Sequence, residues 1–198
     1  MDWSVFGVTF VTLLVIMDPI GAVPIFVTLT QNYTPDARRR AAMRAAVAAG
    51  AVVLLFALAG EAILRYLDVS IQSVSIAGGL LLLLLSLEML RGIDFDEGPR
   101  SGDVALVPLA TPLVAGPGAI ATAMVLARQH PSTWDRFAVV LGILAAVAVI
   151  GLTLVAAEFL TRRVPPATIH FLTRVLGLLI AAIGVELVLR GVHGSFPR

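Results

Sequence analysis

The sequence predicts an all-α, polytopic membrane protein whose six transmembrane helices form two inverted three-helix repeats, with the first and fourth helices broken. Three observations lead there. Of the 198 residues, 59% are hydrophobic and only 14% charged, and a mean hydropathy of +0.97 leaves more apolar surface than a soluble core of this size could hide. Six apolar stretches reach the roughly 20 residues that a helix needs to cross the hydrocarbon. Pro19 and Pro117 each interrupt such a stretch, 98 positions apart, and the same shift lays Arg38 on Arg136, Arg65 on Arg163, Gly79 on Gly177 and Glu88 on Glu186.

The spans are expected at 4–29, 36–66, 70–90, 104–128, 133–161 and 169–190. The first holds a single ionisable side chain, Asp18, near its centre and is interrupted by Pro19, Gly21 and Pro24. The second follows Thr34-Pro35-Asp36, a helix start with threonine as N-cap and proline in the first turn. Ser75 and Gly79 in the third, and Gly177, Ala181 and Gly184 in the sixth, recur at helical spacing and let backbones approach closely. The fourth carries Pro108, Pro112 and the triplet Gly116-Pro117-Gly118. Trp134 opens the fifth as Trp3 opens the first, where amphipathic rings favour the headgroup zone.

Three spans per half is an odd number, so the second half re-enters the bilayer from the opposite face, related to the first by an axis in the membrane plane. The halves, residues 1–98 and 99–198, make one membrane domain joined by the polar loop Arg91 to Asp103. Connections after the first, third and fifth spans carry nine arginines (Arg38, Arg39, Arg40, Arg44, Arg91, Arg100, Arg162, Arg163, Arg174), against five on the other side (Arg65, Arg128, Arg136, Arg190, Arg198). The positive-inside rule then makes the first set cytoplasmic and puts both termini outside. No basic stretch precedes the first apolar run, so the first helix is expected to be retained.

A net charge of +1 gives no reason to expect nucleic acid, and zero cysteines exclude thiolate metal sites and disulfides. All 14 basic residues are arginine, which carries no functional reading. His130, His170 and His193 are scattered without ligand spacing, so neither a metal nor a cofactor is expected. Glu61 with Arg65, Glu158 with Arg162 and Glu186 with Arg190 stand four apart, and Glu88 with Arg91 three apart, the spacing of ion pairs on one helical face.

Chemistry concentrates at the breaks. Pro19 has no N–H for the carbonyl of Val15 and its ring crowds that carbonyl; Pro24 is expected to do the same to Ile20, and Gly21 loosens the stretch between them. Backbone freed in lipid must be satisfied by protein or by a water-filled cavity, so both breaks should face inward. A half-helix is expected to begin at each, with Asp18 as N-cap and Pro19 at the first helical position in one, Gly116 and Pro117 in the other. Such termini near the midplane suit an anionic group, and freed carbonyls suit a cation, so a small zwitterion matches both. The expected substrate site is Asp18, Pro19, Gly21, Thr111, Gly116, Pro117 and Gly118, with Asp18 also a candidate for the coupling ion; capping alone is the plainer role for Asp18, and packing geometry the plainer one for a single proline kink. A threonine such as Thr111 more often bonds its own backbone.

The runs Asp18-Pro19-Ile20-Gly21 with Pro24-Ile25-Phe26, and Val107-Pro108-Leu109 leading into Leu113-Val114-Ala115-Gly116-Pro117, resemble the MarC family of bacterial inner-membrane proteins, as do Arg38-Arg39-Arg40, Ala59-Gly60-Glu61 and Ser75-Ile76-Ala77-Gly78-Gly79. The resemblance covers the whole chain. It implies a six-helix inner-membrane protein grouped with transporters of small neutral amino acids. Many relatives carry asparagine where this chain has Ala22, which removes one amide contact and bears on substrate range.

The leading expectation is therefore secondary transport of small neutral amino acids by alternating access, coupled to protons or sodium, with an oligomer compatible. Export of larger apolar compounds would call for an aromatic-lined cavity, and aromatics are 7% of the chain. An intramembrane enzyme would need a nucleophile or metal constellation that the sequence lacks. A membrane scaffold without transport activity would leave the costly midplane aspartate unexplained. Asp18→Asn and Gly118→Leu are expected to abolish transport in folded protein.

Overall fold

The computed structural model describes residues 3–91 and 116–195, and among them every regular element is an α-helix. In chain order these are α1 (Trp3–Met17), α2 (Pro19–Leu29), α3 (Pro35–Tyr66), α4 (Ile71–Arg91), α5 (Pro117–Gln129), α6 (Thr133–Val155), α7 (Ala157–Arg163) and α8 (Pro166–Ser195). Five stretches are long and apolar enough to cross a membrane: Trp3–Val27, Pro35–Tyr66, Ile71–Leu90, Thr133–Val155 and Ala167–Ser195. The fourth expected span is represented only by α5. Its first part, with Pro108, Thr111 and Pro112, lies outside the described residues.

Helix starts follow local chemistry. Thr34, extended at φ −64° and ψ 155°, accepts the Ala37 N–H at 3.3 Å and caps α3, with Pro35 in its first turn. Ser132 does the same for α6, accepting the Asp135 N–H at 3.2 Å. The 32 residues of α3 make a rod of about 48 Å, longer than the ~30 Å hydrocarbon core, so its arginine-rich first turns and its Glu61–Arg65 end both reach polar surroundings. Two expectations are refined. Pro24 lies inside α2 and the helix continues through it, so this proline does not unwind the segment, although having no N–H it withholds the i−4 bond from the Ile20 carbonyl. The fifth span divides at Ala156 into α6 and α7, although Ala156 N–H to Leu152 O (2.9 Å) and Leu160 N–H to Ala156 O (3.0 Å) carry the helical ladder across the joint.

Packing is closest where side chains are smallest. α4 and α8 run antiparallel, and a Cβ built on Gly79 would stand 2.5 Å from the Gly184 carbonyl oxygen, one on Gly184 2.8 Å from the Gly79 carbonyl oxygen. The Ser75 hydroxyl donates across this seam to Leu187 O at 2.7 Å, and further along Gly177 faces Met89 and Gly191 faces the Gln72 carbonyl. Ser75, Gly79, Gly177 and Gly184 are among the small residues whose spacing predicted close approach, and Gly191 extends the seam. α6 is the central helix: Ala138, Ile143, Ala146, Ile150 and Leu154 are all fully buried. It packs antiparallel to α3 through Gly50 on Val147 and Gly151 on Ala46, and against α1 through Gly142 on Thr9.

Two ends of the bundle can be told apart. At one, Glu61 of α3 meets Arg128 of α5, Arg190 of α8 meets Gln129, and Gln72 of α4 meets Gly194. At the other, Arg38 of α3 meets Glu158 of α7. Around the perimeter Val8, Val47, Leu58, Leu84, Leu144, Leu152, Phe171 and Leu178 are exposed, an apolar belt that suits acyl chains. Trp3, Trp134 and Tyr66 stand exposed at the Glu61 end, as interfacial aromatics do.

Replacing Gly79 by valine drives a side chain into the Gly184 backbone, which should cost about 1–3 kcal/mol as overpacking does. Gly7→Ala, where nothing lies within 4 Å, should instead hold or raise stability by up to about 1 kcal/mol. Thermal unfolding in detergent, compared for the two variants, checks both signs.

Candidate functional site

The first break is built by three residues acting together. Asp18 closes α1 by donating its N–H to Val15 O at 3.3 Å and then turns into the left-handed region at φ 38°. Aspartate tolerates that conformation better than most side chains, at a cost of order 1–2 kcal/mol. The chain re-enters a helix at Pro19, whose missing N–H is harmless at a first position, and Asp18 Oδ1 accepts the Gly21 N–H at 3.0 Å while Asp18 O accepts Ala22 N–H at 3.1 Å. Asp18 is thus the N-cap of α2. Gly21 makes room for it: a Cβ there would lie 2.0 Å from Asp18 Oδ2 and 2.9 Å from Cγ.

The second proline, Pro117, starts α5 at a level near the middle of α4. Gly118 is buried against Leu82, near the middle of α4, where a Cβ would stand 2.2 Å from Leu82 Cδ2; one turn on, Gly78 of α4 receives Ala121. Gly116 takes the N-cap position at φ −58° and ψ 160°, with no side chain bonded to the helix start among the described residues, and Pro117 follows as the first helical residue. Its carbonyl accepts Ala119 N–H and Ile120 N–H. The two starts therefore differ: the α2 terminus is filled by the chain's own carboxylate, whereas Gly116 offers α5 no side-chain cap. α1 packs along α5.

Of the expected site residues, Asp18, Pro19 and Gly21 form one unit, and Gly116, Pro117 and Gly118 form the start of α5. Thr111 lies outside the described residues. The contact of Gly118 is with Leu82, so Gly118→Leu collides with α4 and is no longer expected to leave folded protein. Two buried hydroxyls are not distinguished by the sequence, one of them, Thr9, packed on Gly142 of α6. Thr9 of α1 and Thr122 of α5, one turn beyond Gly118, are buried with Oγ1 lacking a hydrogen-bond partner. Thr30 and Thr153 follow the usual habit and bond their own helix at Phe26 O and Val149 O, and nothing in the sequence separates the two kinds.

Charged groups occupy the bundle ends. A cavity of about 510 Å³ opens at the Glu61 end, lined by Phe56, Glu61 and Arg65 of α3, Met124 and Arg128 of α5, and Arg136 of α6, among others. Glu61 pairs with Arg65 at 3.3 Å, as its spacing predicted, and also with Arg128; Glu186 pairs with Arg190 at 2.6 Å. At the far end Glu158 pairs with Arg38 at 2.5 Å, across 120 residues of sequence. The Arg38 guanidinium also donates to Thr30 O at 3.0 Å, a carbonyl just past the end of α2 that already accepts the Tyr33 N–H at 2.9 Å, where a cation complements the helix dipole. The side chains of Arg91 and Arg162 lie outside the described set, so the spacings with Glu88 and Glu158 stand as expectations. No group of three or more metal-ligating side chains occurs among the described residues.

The cap is separable from the charge. Asp18→Asn keeps an acceptor for Gly21 and a side chain that tolerates φ 38°, so its melting temperature should stay near the parent's. Asp18→Ala loses the cap, worth about 1 kcal/mol, and sits badly in the left-handed turn, so it should melt clearly lower. A thermal series in one detergent reads the order directly.

Comparison with known proteins agrees with this architecture. The profile of MarC family integral membrane proteins matches residues 3–196. A UPF0056 membrane protein of the archaeon Methanocaldococcus jannaschii is 39% identical, covering 98% of this chain and 99% of its own. UPF0056 membrane proteins of Bacillus subtilis (31%, covering 95% and 94%) and Escherichia coli (30%, covering 99% and 95%) are similar over nearly their full lengths. No solved structure matches. A full-length family match on an all-helical bundle with several membrane-spanning helices makes this chain a member of the MarC family of integral membrane proteins.

Proposed function

We propose that this protein is a secondary transporter of small neutral amino acids, working by alternating access across the cytoplasmic membrane, with substrate held between the half-helices α1/α2 and α5. The observation that carries the reading is the pair of helix starts inside the bilayer, Pro19 after Asp18 and Pro117 after Gly116, 98 residues apart. Interrupted helices at corresponding places in two halves are how transporters bring backbone polar groups to the middle of a membrane.

An inverted repeat of two three-helix halves is part of the proposal, and several features support it. The shift of 98 carries Pro35, which starts α3, onto Thr133, which starts α6, and the N-cap Thr34 onto the N-cap Ser132. It carries the contact of Gly79 with Gly184 onto that of Gly177 with Ser86 O. α3 with α6, and α4 with α8, each run antiparallel, as halves in opposite orientation require. In this frame the arginine distribution assigns the Arg38 end to the cytoplasm and both termini to the outside.

In the proposed site, the carboxylate of an amino acid is received at the start of α5, since Asp18 already fills the start of α2. Asp18 Oδ2, not engaged by the Gly21 bond, faces the ammonium group or the coupling proton or sodium ion. The buried hydroxyls of Thr9 and Thr122 supply further polar contacts. No chemical conversion is included.

Counterflow in proteoliposomes tests the reading: preloaded alanine, glycine or serine should draw labelled amino acid inward, and Asp18→Asn should abolish this in folded protein. Absence of exchange with all three, under proton and sodium gradients alike, overturns the substrate assignment. Wild-type rates in Asp18→Asn overturn the role of the charge.

A further inference from the structure

The proposed repeat turns the difference between the two bundle ends into information about conformational state. Four residues lining the 510 Å³ cavity at the Glu61 end are Phe56, Met124, Arg128 and Val140. Their equivalents under the shift of 98 are Leu154, Phe26, Thr30 and Ala42, each 0% exposed. At these four positions residues that line a cavity at one end correspond to buried ones at the other, although Met124 is itself only 6% exposed and Val155, the equivalent of the lining residue Ala57, is 38% exposed.

Arginines show the same inequality. Arg38 is 16% exposed, held by Glu158 and by Thr30 O, with its Nε buried and unpartnered. Its equivalent Arg136 is exposed and lines the cavity. The position equivalent to Glu158 is Gly60, and the next residue, Glu61, brings a carboxylate into the same cavity, where it is held by Arg65 and Arg128. The carbonyl equivalent to Thr30 O is that of Arg128, at the end of α5 as Thr30 is at the end of α2.

The cavity stops at Met124, six residues along α5 from Gly118, a distance of about 9 Å at ~1.5 Å per residue. There the Met124 side chain lies flat on α3: a Cβ on Gly60 would stand 2.6 Å from its methyl carbon and 3.3 Å from its sulfur. A flexible thioether on a glycine is a thin barrier. At the Arg38 end the equivalent barrier is the ring of Phe26, beneath the ion pair.

We infer that Arg38 with Glu158 and Arg136 with Glu61 are reciprocal gates, and that the structure is the state open at the Glu61 end, its cavity the vestibule and Met124 the floor above the half-helix site. In the opposite state Arg38 leaves Glu158 and Thr30 O, a vestibule forms around Phe26 and Ala42, and Arg136 closes on Glu61 and the Arg128 carbonyl. Both states use the same two kinds of contact, so the energy gap between them stays small enough for a substrate to bias. The inference rests on the transport reading for its purpose, but its geometry can be tested without any substrate.

The chain contains no cysteine, so a single introduced thiol reports alone. Val140→Cys should react with a membrane-impermeant maleimide from the Glu61 side, and Ala42→Cys should be protected from both sides. Adding Arg38→Gln or Glu158→Gln should raise the Ala42→Cys rate from the Arg38 side about tenfold and lower that of Val140→Cys only by the fraction of molecules that leave the state open at the Glu61 end, as a population shift requires. The exchanged pair Arg38→Glu with Glu158→Arg should restore the parent pattern, which a purely steric disturbance would not. Protection of Val140→Cys from both sides, or unchanged labelling in both neutral variants that remain monodisperse, overturns the gates. Labelling that shifts as expected without amino-acid counterflow keeps the gates and rejects the substrate; counterflow with unshifted labelling does the reverse.

Discussion

A peptide group without a hydrogen-bond partner in hydrocarbon costs several kcal/mol, and the arrangement of the first apolar stretch follows from how the chain interrupts it at Asp18 without leaving such groups bare. At Asp18 the solution is self-contained: one residue ends α1 with its N–H, starts α2 with its carbonyl and caps it with its carboxylate. The reversal needs a left-handed turn, and Asp18 is one of only two non-glycine residues at positive φ among those described, the other being Asp68 in the exposed turn after α3. α2 then runs among α6, α7 and α8 until the carbonyl just past its end, at Thr30, accepts both the Tyr33 N–H and the Arg38 guanidinium. The interrupted span is satisfied at both ends of its second half.

The rest of the bundle is held by near contact between backbones. Lipid tails are as apolar as leucine, so burying leucine between helices gains little, and association depends on fit and on hydrogen bonds across the seam. The α4 to α8 interface has both, in the opposed glycines 79 and 184 and in the Ser75 hydroxyl on Leu187 O. α5 follows the same logic: Gly118 and Ala121 meet Leu82 and Gly78 of α4, and Met124 meets Gly60 of α3. A helix of thirteen residues, about 20 Å long, is thereby fixed on two sides.

Features governed by nearest neighbours in sequence could be read directly. The caps at Asp18 and Thr34, the restart at Pro19 and Pro117, the pairs Glu61–Arg65 and Glu186–Arg190, and the small-residue stripes all depend on residues within a few positions of one another. What escaped depends on contacts between distant segments. Arg38 finds Glu158 through the antiparallel packing of α3 on α6, Gly118 is committed to Leu82 by the register of α5 on α4, and the free hydroxyls of Thr9 and Thr122 are distinguished from Thr30 and Thr153 only by their surroundings. That α2 continues through Pro24 also depends on its packing among α6, α7 and α8, since the proline withholds its own bond from Ile20 whatever Pro19 does.

One consequence concerns heredity. Because the Asp18 carboxylate occupies the volume a Cβ at position 21 would take, position 21 cannot acquire a side chain while a side chain of that size stands at 18: bulk at 21 evicts the carboxylate, and loss of the side chain at 18 removes the reason for a glycine. The two codons form one selectable trait, so lineages that abandon the aspartate for a smaller side chain should be the ones in which position 21 first acquires bulk.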